Sequence, residues 1–423
     1  MKHKKSIRYV GEPKIFMLWD ESHLWGLMLL RALRFWEMPL RVISADMISR
    51  GILEEDPPDM LMVPGGWARL KSRALGSSGR SGIKNYIREG GTYMGFCGGA
   101  GLGLSSSDRD DFLDLCPCTR KPMHNRLPNF SGYLRCRVNL EKGREEKTVL
   151  PVWWPSQFSL GENPEINILS RYLDPDHDFW VADLKAGDIP QEEFEKWEAA
   201  YKINLDPARL KEEPCILQGN YGRGEFILSY AHLETPGAKQ ANTLFLRLLE
   251  NRDIRTPHRE KTIPQWDIFS VQPAWDAPGL TRAHQELCEL VRTGGEHFLI
   301  NQRAPWLLGW RRGIPGSALN FLLAMLARAL KTPPSKETKN HWEEQEKDFL
   351  SIWEEFISGM QDYLLRERLV LAERPSSPEA SGDKELQAEK ERLTGKFPGY
   401  GGLYGKLLGR LDGLVWRQVR KEK

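Results

Sequence analysis

The run Thr92-Tyr93-Met94-Gly95-Phe96-Cys97-Gly98-Gly99-Ala100-Gly101 constrains this chain more than any other segment. Its first half is apolar and β-forming, and its second half is built from small residues. A strand that leads straight into such a run turns sharply into a helix, and only Gly and other small neighbours fit around so tight a turn. The turn lifts the one functional side chain, the Cys97 thiol, above the end of the sheet. Cys97 is therefore the candidate nucleophile, and the Gly98 N–H behind it is a candidate oxyanion donor. A buried cysteine among packing glycines is the plain alternative. The placement directly after an apolar strand favours the nucleophile.

The segments before this elbow repeat the same alternation. Lys14 to Asp20 and Leu40 to Ser44 read as short buried strands, with apolar residues at helical spacing between them from Leu24 to Phe35. Asp59 to Val63 is a third strand and runs into Pro64-Gly65-Gly66. Ser81 to Glu89 is helical and stops at Gly90-Gly91. Strand and helix in alternation predict an α/β fold, a mostly parallel sheet with helices on both faces. After the elbow the pattern weakens until Cys215–Gly219 and Glu225–Tyr230, which read as a hairpin, followed by a helix from about Ala238 to Glu250.

Two further motifs bear on chemistry. The Gly65-Gly66 turn closes the third strand, and glycine amides without side chains can line an anion site. The Gly66 N–H is the candidate second oxyanion donor, with an ordinary Pro-Gly turn as the alternative. His232-Leu233-Glu234 follows the last strand of the hairpin. Residues two apart on an extended segment point the same way, so Glu234 is placed to orient His232 and His232 to serve Cys97 as base. A surface loop is the alternative for such a short motif, and the position after an apolar strand argues against it. His23, in the loop after the first strand, is a possible pocket residue, with a helix cap made by Asp20 or Ser22 as the competing use of that loop.

Beyond residue 250 the character changes. A Pro- and Trp-rich stretch from Thr256 to Pro278 precedes helical patterns at Leu280–Val291, Ala318–Leu330 and Phe349–Leu364. Trp306, Trp310, Trp342 and Trp353 read as core. Arg374 to Asp383 reads as a flexible break, and the end of the chain as Gly-rich turns and a basic amphipathic tail. The expected division is residues 1–250, then a helical domain at 251–373 of open role, then the segment and tail at 374–423.

Composition narrows the partners. Sixty basic and 58 acidic residues leave a net charge of +2, which gives no support to nucleic-acid binding. Six cysteines in 423 residues do not make a disulfide framework, and Cys116 and Cys118 are too isolated to read as half of a zinc site. No metal and no cofactor is expected. The basic start MKHKKSIRYV lacks the apolar run of a signal peptide, and no stretch has the roughly 18 apolar residues of a transmembrane helix, so a cytoplasmic location is expected. A small-molecule substrate is the expected partner, with a possible protein partner through the helical C-terminal region.

Four segments together, VPGGWARL, IREGGTYMGFCGGAGLGL, LSRYLDP and NYGRGEFILSYAHLETPG, resemble the biotin-protein ligase N-terminal domain family. That family belongs to the class I glutamine amidotransferase-like superfamily, with a flavodoxin-like fold. The likeness spans about residues 14 to 250. It implies Cys97 as nucleophile, His232 as base and Glu234 as acidic partner. It also implies that Trp153, Trp154 and Gln157 border the pocket, with simple core or interface packing as an equal alternative. Amidotransferases carry His-Pro-Glu where this chain has Leu233 in the middle. The biotinyl-adenylate loop and lysine segment of a biotin ligase are absent from the sequence, as are a phosphate loop and a synthetase domain. The reading is a cysteine hydrolase or amidase acting on a small amide, ester or thioester. The alternatives are a binding or scaffold module that retains the elbow, and a glutaminase subunit that feeds a separate synthetase.

Overall fold

The structure is a computed structural model that describes residues 14–106, 111–141, 144–161, 166–373, 382–396 and 400–420. The basic start and most of the break expected at Arg374 to Asp383 lie outside the described residues. Two compact units are formed. Of the described residues, the first unit holds those within 14–22, 28–179 and 186–263, and the second those within 23–27, 180–185 and 264–420.

The strands are β1 (Ile15–Leu18), β2 (Leu40–Ile43), β3 (Met60–Val63), β4 (Thr92–Phe96), β5 (Thr119–Arg120), β6 (Ser131–Glu141), β7 (Arg144–Trp153), β8 (Phe158–Ser159), β9 (Asn167–Val181), β10 (Leu184–Lys185), β11 (Pro214–Tyr221) and β12 (Gly224–Ser229). The helices up to residue 250 are α1 (His23–Phe35), α2 (Ala45–Ser49), α3 (Ile52–Glu55), α4 (Ala68–Arg88), α5 (Gly98–Leu102), α6 (Phe194–Tyr201) and α7 (Lys239–Glu250).

The main sheet has the order β2-β1-β3-β4-β12-β11-β9-β6-β7, with β10 paired to β9. From β2 to β12 every pairing is parallel. From β11 onward the observed pairings are antiparallel. The parallel half is buried on both faces, and β1 and β3 are apolar at every position for that reason. Successive side chains alternate between faces. Phe16, Leu61 and Tyr93 join Leu75, Ile83 and Ile87 of α4 in one core cluster. On the opposite face Phe96 meets Phe245 of α7 edge to face at 5.2 Å, and Trp36 meets the same ring at 5.4 Å.

In the second unit the helices are α8 (Pro278–Glu296), α9 (Gly316–Lys331), α10 (Lys336–Glu373), α11 (Gly382–Thr394) and α12 (Gly402–Val419). A hairpin of β13 (Ile300–Ala304) and β14 (Leu307–Trp310) interrupts them. Trp306, Trp342 and Trp353 are buried, as their spacing predicts, whereas Trp310 is half-buried. The basic amphipathic end is α12. Its Leu403, Leu407, Leu411 and Leu414 are buried, and the helix packs on α9 and α10. Among the described residues, no helix is long and apolar enough to cross a membrane.

The turn after β3 and the elbow after β4 touch backbone to backbone. A Cβ added at Gly99 would lie 2.0 Å from the Val63 carbonyl oxygen, and one added at Gly98 would lie 1.9 Å from that of Gly66. No side chain fits in those gaps. Gly99→Ala is therefore expected to lower stability by about 2–3 kcal/mol through forced separation of the two loops. Gly187→Ala, where a Cβ meets nothing within 4 Å, is expected to stay within about 0.5 kcal/mol. Urea midpoints of the two variants would show the contrast, and equal midpoints would contradict this packing.

Candidate active site

Cys97 sits alone between β4 and α5, with φ 46° and ψ −101°. Positive φ is costly for a residue with a Cβ, so the turn stores strain held by the structure around it. Three contacts hold it. The Cys97 N–H donates to the Ser229 carbonyl at 2.7 Å, the Gly101 N–H donates to the Cys97 carbonyl at 2.8 Å, and the buried Tyr93 hydroxyl donates to the Gly99 carbonyl at 2.7 Å. Gly95 is required as well, because a Cβ there would lie 2.5 Å from the Gly99 backbone. Cys97 itself is partly exposed.

Parallel pairing of β12 with β4 sets Ser229 beside Phe96. The chain leaving β12 therefore passes the elbow. Tyr230, Ala231 and His232 follow within one to three residues. The His232 and Glu234 side chains are fully buried, and His232 Nδ1 lies 2.8 Å from Glu234 Oε1. That bond places a proton on Nδ1, and Cys97 lies close enough to act electrostatically on the ring. Burial alone would lower the His232 pKa. The Glu234 charge and hydrogen bond, together with the nearby Cys97 sulfur, outweigh burial and raise it to about 9. The Glu234 carboxylate thus favours the protonated form of the ring.

The His232–Glu234 loop is itself clamped. Its His232 N–H donates to the Pro151 carbonyl at 2.9 Å, and the Thr235 hydroxyl donates to the His232 carbonyl at 2.8 Å while accepting from Trp153 Nε1 at 3.0 Å. Asn242 in the first turn of α7 closes the set. Its Nδ2 donates to the Leu233 and Thr235 carbonyls at 2.8 and 3.0 Å, and its Oδ1 accepts from the Ile263 N–H at 3.0 Å. Sequence reasoning passed over Asn242 and Thr235. The one available signal was an asparagine on the otherwise apolar face of a helix beginning just after the motif.

Gly66 has φ 113° and abuts the Glu21 carbonyl, which a Cβ would meet at 2.3 Å. Among the described residues, neither the Gly66 nor the Gly98 N–H enters a backbone hydrogen bond outside its own element. Gly65 is buried in the same turn. Lys71 of α4, fully buried and also unforeseen, supports this corner. Its Nζ donates to the Asp20 carbonyl at 2.9 Å and to the Ser22 hydroxyl at 2.5 Å, and its Cε lies 3.5 Å from where a Gly66 Cβ would stand.

The remaining candidates are placed otherwise. His23 belongs to the second unit and packs its ring against Phe321 and Tyr400 at 5.9 and 6.2 Å. The capping alternative fails too: Ser22 makes no side-chain cap bond, and Asp20 Oδ2 instead accepts from the Ala45 N–H at 2.7 Å, at the start of α2. Gln157 is a buried bracket whose Oε1 accepts from the Leu127 N–H at 2.9 Å and whose Nε2 donates to Glu213. Trp154 is half-buried at φ 50°, with its N–H on the Phe130 carbonyl at 3.1 Å. The geometry thus joins His232 to Glu234 and sets Gly66 against Gly98, with Cys97 near enough to act on the ring, while Gln157 holds a neighbouring loop.

Residues 33–109 match the family model described as biotin-protein ligase, N terminal. The matched stretch includes the Gly65-Gly66 turn and the Cys97 elbow and stops before His232. No curated protein matches the chain. Several solved structures do. One described as PurLQS from Thermotoga maritima is 12% identical, with 56% of this chain and 100% of that chain covered and a TM-score of 0.38. A putative GMP synthase component from Thermoplasma acidophilum is 12% identical, covering 57% and 96%, at a TM-score of 0.36. A third, described as a glutamine amidotransferase, is 16% identical, covering 56% and 98%, at 0.34.

The raised His232 pKa has a consequence for stability. The folded value lies above the unfolded one of roughly 6.5, so the native protein binds this proton more tightly. The stabilisation is complete below pH ~6.5 and is lost as the pH rises through about 9. At full extent it is worth roughly 3 kcal/mol. Urea midpoints should fall between pH 6 and 9.5 in the native chain and fall distinctly less in Glu234→Gln. Parallel pH profiles of the two proteins would contradict the pairing.

Proposed function

We propose that the first unit is a glutamine amidotransferase-like cysteine hydrolase or amidase that cleaves a small amide, ester or thioester. The observation that carries this reading is the fully buried imidazole that hydrogen-bonds Glu234 and lies close enough to the Cys97 elbow for the sulfur to act on it. An orienting carboxylate, a base and a nucleophile in sequence are what acyl transfer requires.

In the proposed reaction the Cys97 thiolate attacks the substrate carbonyl carbon. The carbonyl oxygen gains the negative charge, and the Gly66 and Gly98 N–H groups receive it. Cationic His232 gives its proton to the leaving nitrogen or oxygen, the carbon–heteroatom bond breaks, and a thioester to Cys97 remains. Neutral His232 then takes a proton from water, hydroxide adds to the thioester carbon, and the acid product leaves with restoration of the thiolate. Glu234 holds the ring and its charge through both halves. The Leu233 that separates the two polar residues is fully buried, so it anchors the loop by packing rather than by the rigid ring of a proline.

Against a panel of small amides, esters and thioesters, with L-glutamine included and ammonia release followed, Cys97→Ala should lose at least about a thousandfold in kcat/KM while its circular dichroism is unchanged. Iodoacetamide should alkylate Cys97 in the native chain about tenfold faster than in His232→Ala. A Cys97→Ala variant that turned over normally would rule the mechanism out. Equal, slow alkylation in both proteins would favour a binding module that keeps the elbow without chemistry.

A further inference from the structure

The elbow is flanked by positive charge that the proposed chemistry does not use. The short ribbon of β5 and β8 pairs Arg120 with Phe158, and the Phe158 ring stacks on Tyr230 at 4.1 Å. Arg120 lies over α5: its Nη2 is 2.9 Å from where a Gly101 Cβ would stand, one helical turn from Cys97, and its guanidinium covers the Phe112 ring at 5.4 Å. Arg126 donates through Nη1 to the Ser156 hydroxyl at 3.1 Å and through Nε to the Lys121 carbonyl.

Arg120 faces Phe158 across the ribbon, Phe158 rests on the Tyr230 ring, and Ser156, two residues before Phe158, accepts from Arg126, so both guanidinium groups border the Tyr230 side chain. Their charges act on its hydroxyl. Tyr230 is 1% exposed, and its hydroxyl makes no hydrogen bond of normal geometry. Among the described residues, neither arginine has a carboxylate partner. The nearby Glu213 is engaged by Lys121 and by Gln157. An exposed and a half-buried guanidinium without a carboxylate, beside a buried donor with nothing to donate to, form a group whose charge an anion would balance.

We propose that Arg120, Arg126 and Tyr230 bind a carboxylate at the far end of the substrate's acyl chain. This rests on the reading of Cys97 as the attacking thiol. The substrate class is then the monoamide or monoester of a dicarboxylic acid. The cluster offers no free carboxylate to an ammonium group, so it favours a net anion over a zwitterionic amino acid. The guanidinium pair holds the chain by its charged end while the other carbonyl reaches Cys97, and Tyr230, two residues before His232, ties recognition to the catalytic loop.

The test has two independent arms, both on the full chain. In the first, glutarate is titrated calorimetrically into Cys97→Ala, which needs no reactive thiol. Saturable binding is expected, weakened about tenfold or more by adding Arg120→Met or Arg126→Met and much less by adding Lys390→Met on α11 of the second unit. In the second, Cys97 is alkylated with iodoacetate and with iodoacetamide. The ratio of the two rates should fall about tenfold in either arginine variant, while the iodoacetamide rate holds. Absence of glutarate binding, equal binding in the arginine variants, or binding of inorganic phosphate in place of glutarate would each overturn the proposal. If glutarate binds as expected and Cys97 reacts with neither reagent, the anion site stands and the nucleophile reading fails.

Discussion

The parallel pairing of β12 with β4 is the interaction on which the site depends. Five backbone registers, ending at Ser229 beside Phe96, bring together two parts of the chain more than 130 positions apart. The elbow comes from one strand and the His-x-Glu loop from the other. Their joining is a matter of main-chain hydrogen bonds, not of the polar groups themselves. The imidazole and the carboxylate are then buried at a cost that their mutual bond and the loop clamp offset. Asn242 meets three backbone groups that would otherwise be orphaned inside the core, and that makes the loop conformation a property of the fold.

Much of this was legible because it depended on local chemistry. The strands β1, β3 and β4 are short, continuous and apolar, and the parallel half of a sheet demands that. The Gly-Phe-Cys-Gly-Gly run announced its elbow because nothing larger fits beneath the Val63 and Gly66 carbonyls. The His232–Glu234 contact followed from the two-residue spacing together with its place directly after an apolar strand. The first half of α4 was hidden for a physical reason. Its buried face is Ala68, Lys71, Ser72, Leu75 and Gly79, so the helical period is carried by small and polar residues where an apolar stripe was sought. A glycine at 76, with φ 60° and ψ −174°, breaks the period again.

The residues that were missed act over long range. Lys71 joins a loop 49 to 51 positions earlier, and no periodicity reveals a lysine turned inward. Arg120 and Arg126 lie in a region of turns and two-residue strands that gives no pattern at all. The opposite error arose with His23 and Gln157. Each has a side chain suited to a ligand, and each is occupied: one in an aromatic cluster of the second unit, the other bracketing Leu127 and Glu213. Residue type proposes a role, and only packing shows whether the group is already spent.

The strained backbone at Cys97 bears on how such a chain can change over time. A glycine at that position would adopt φ 46° freely and release on the order of 1 kcal/mol. Loss of the sulfur is thus the thermodynamically downhill substitution, and the scaffold, with its sheet and glycine contacts intact, would tolerate it. Decay of the chemistry in such a fold would leave a more stable protein, recognisable by its relaxed elbow rather than by any damage to its core.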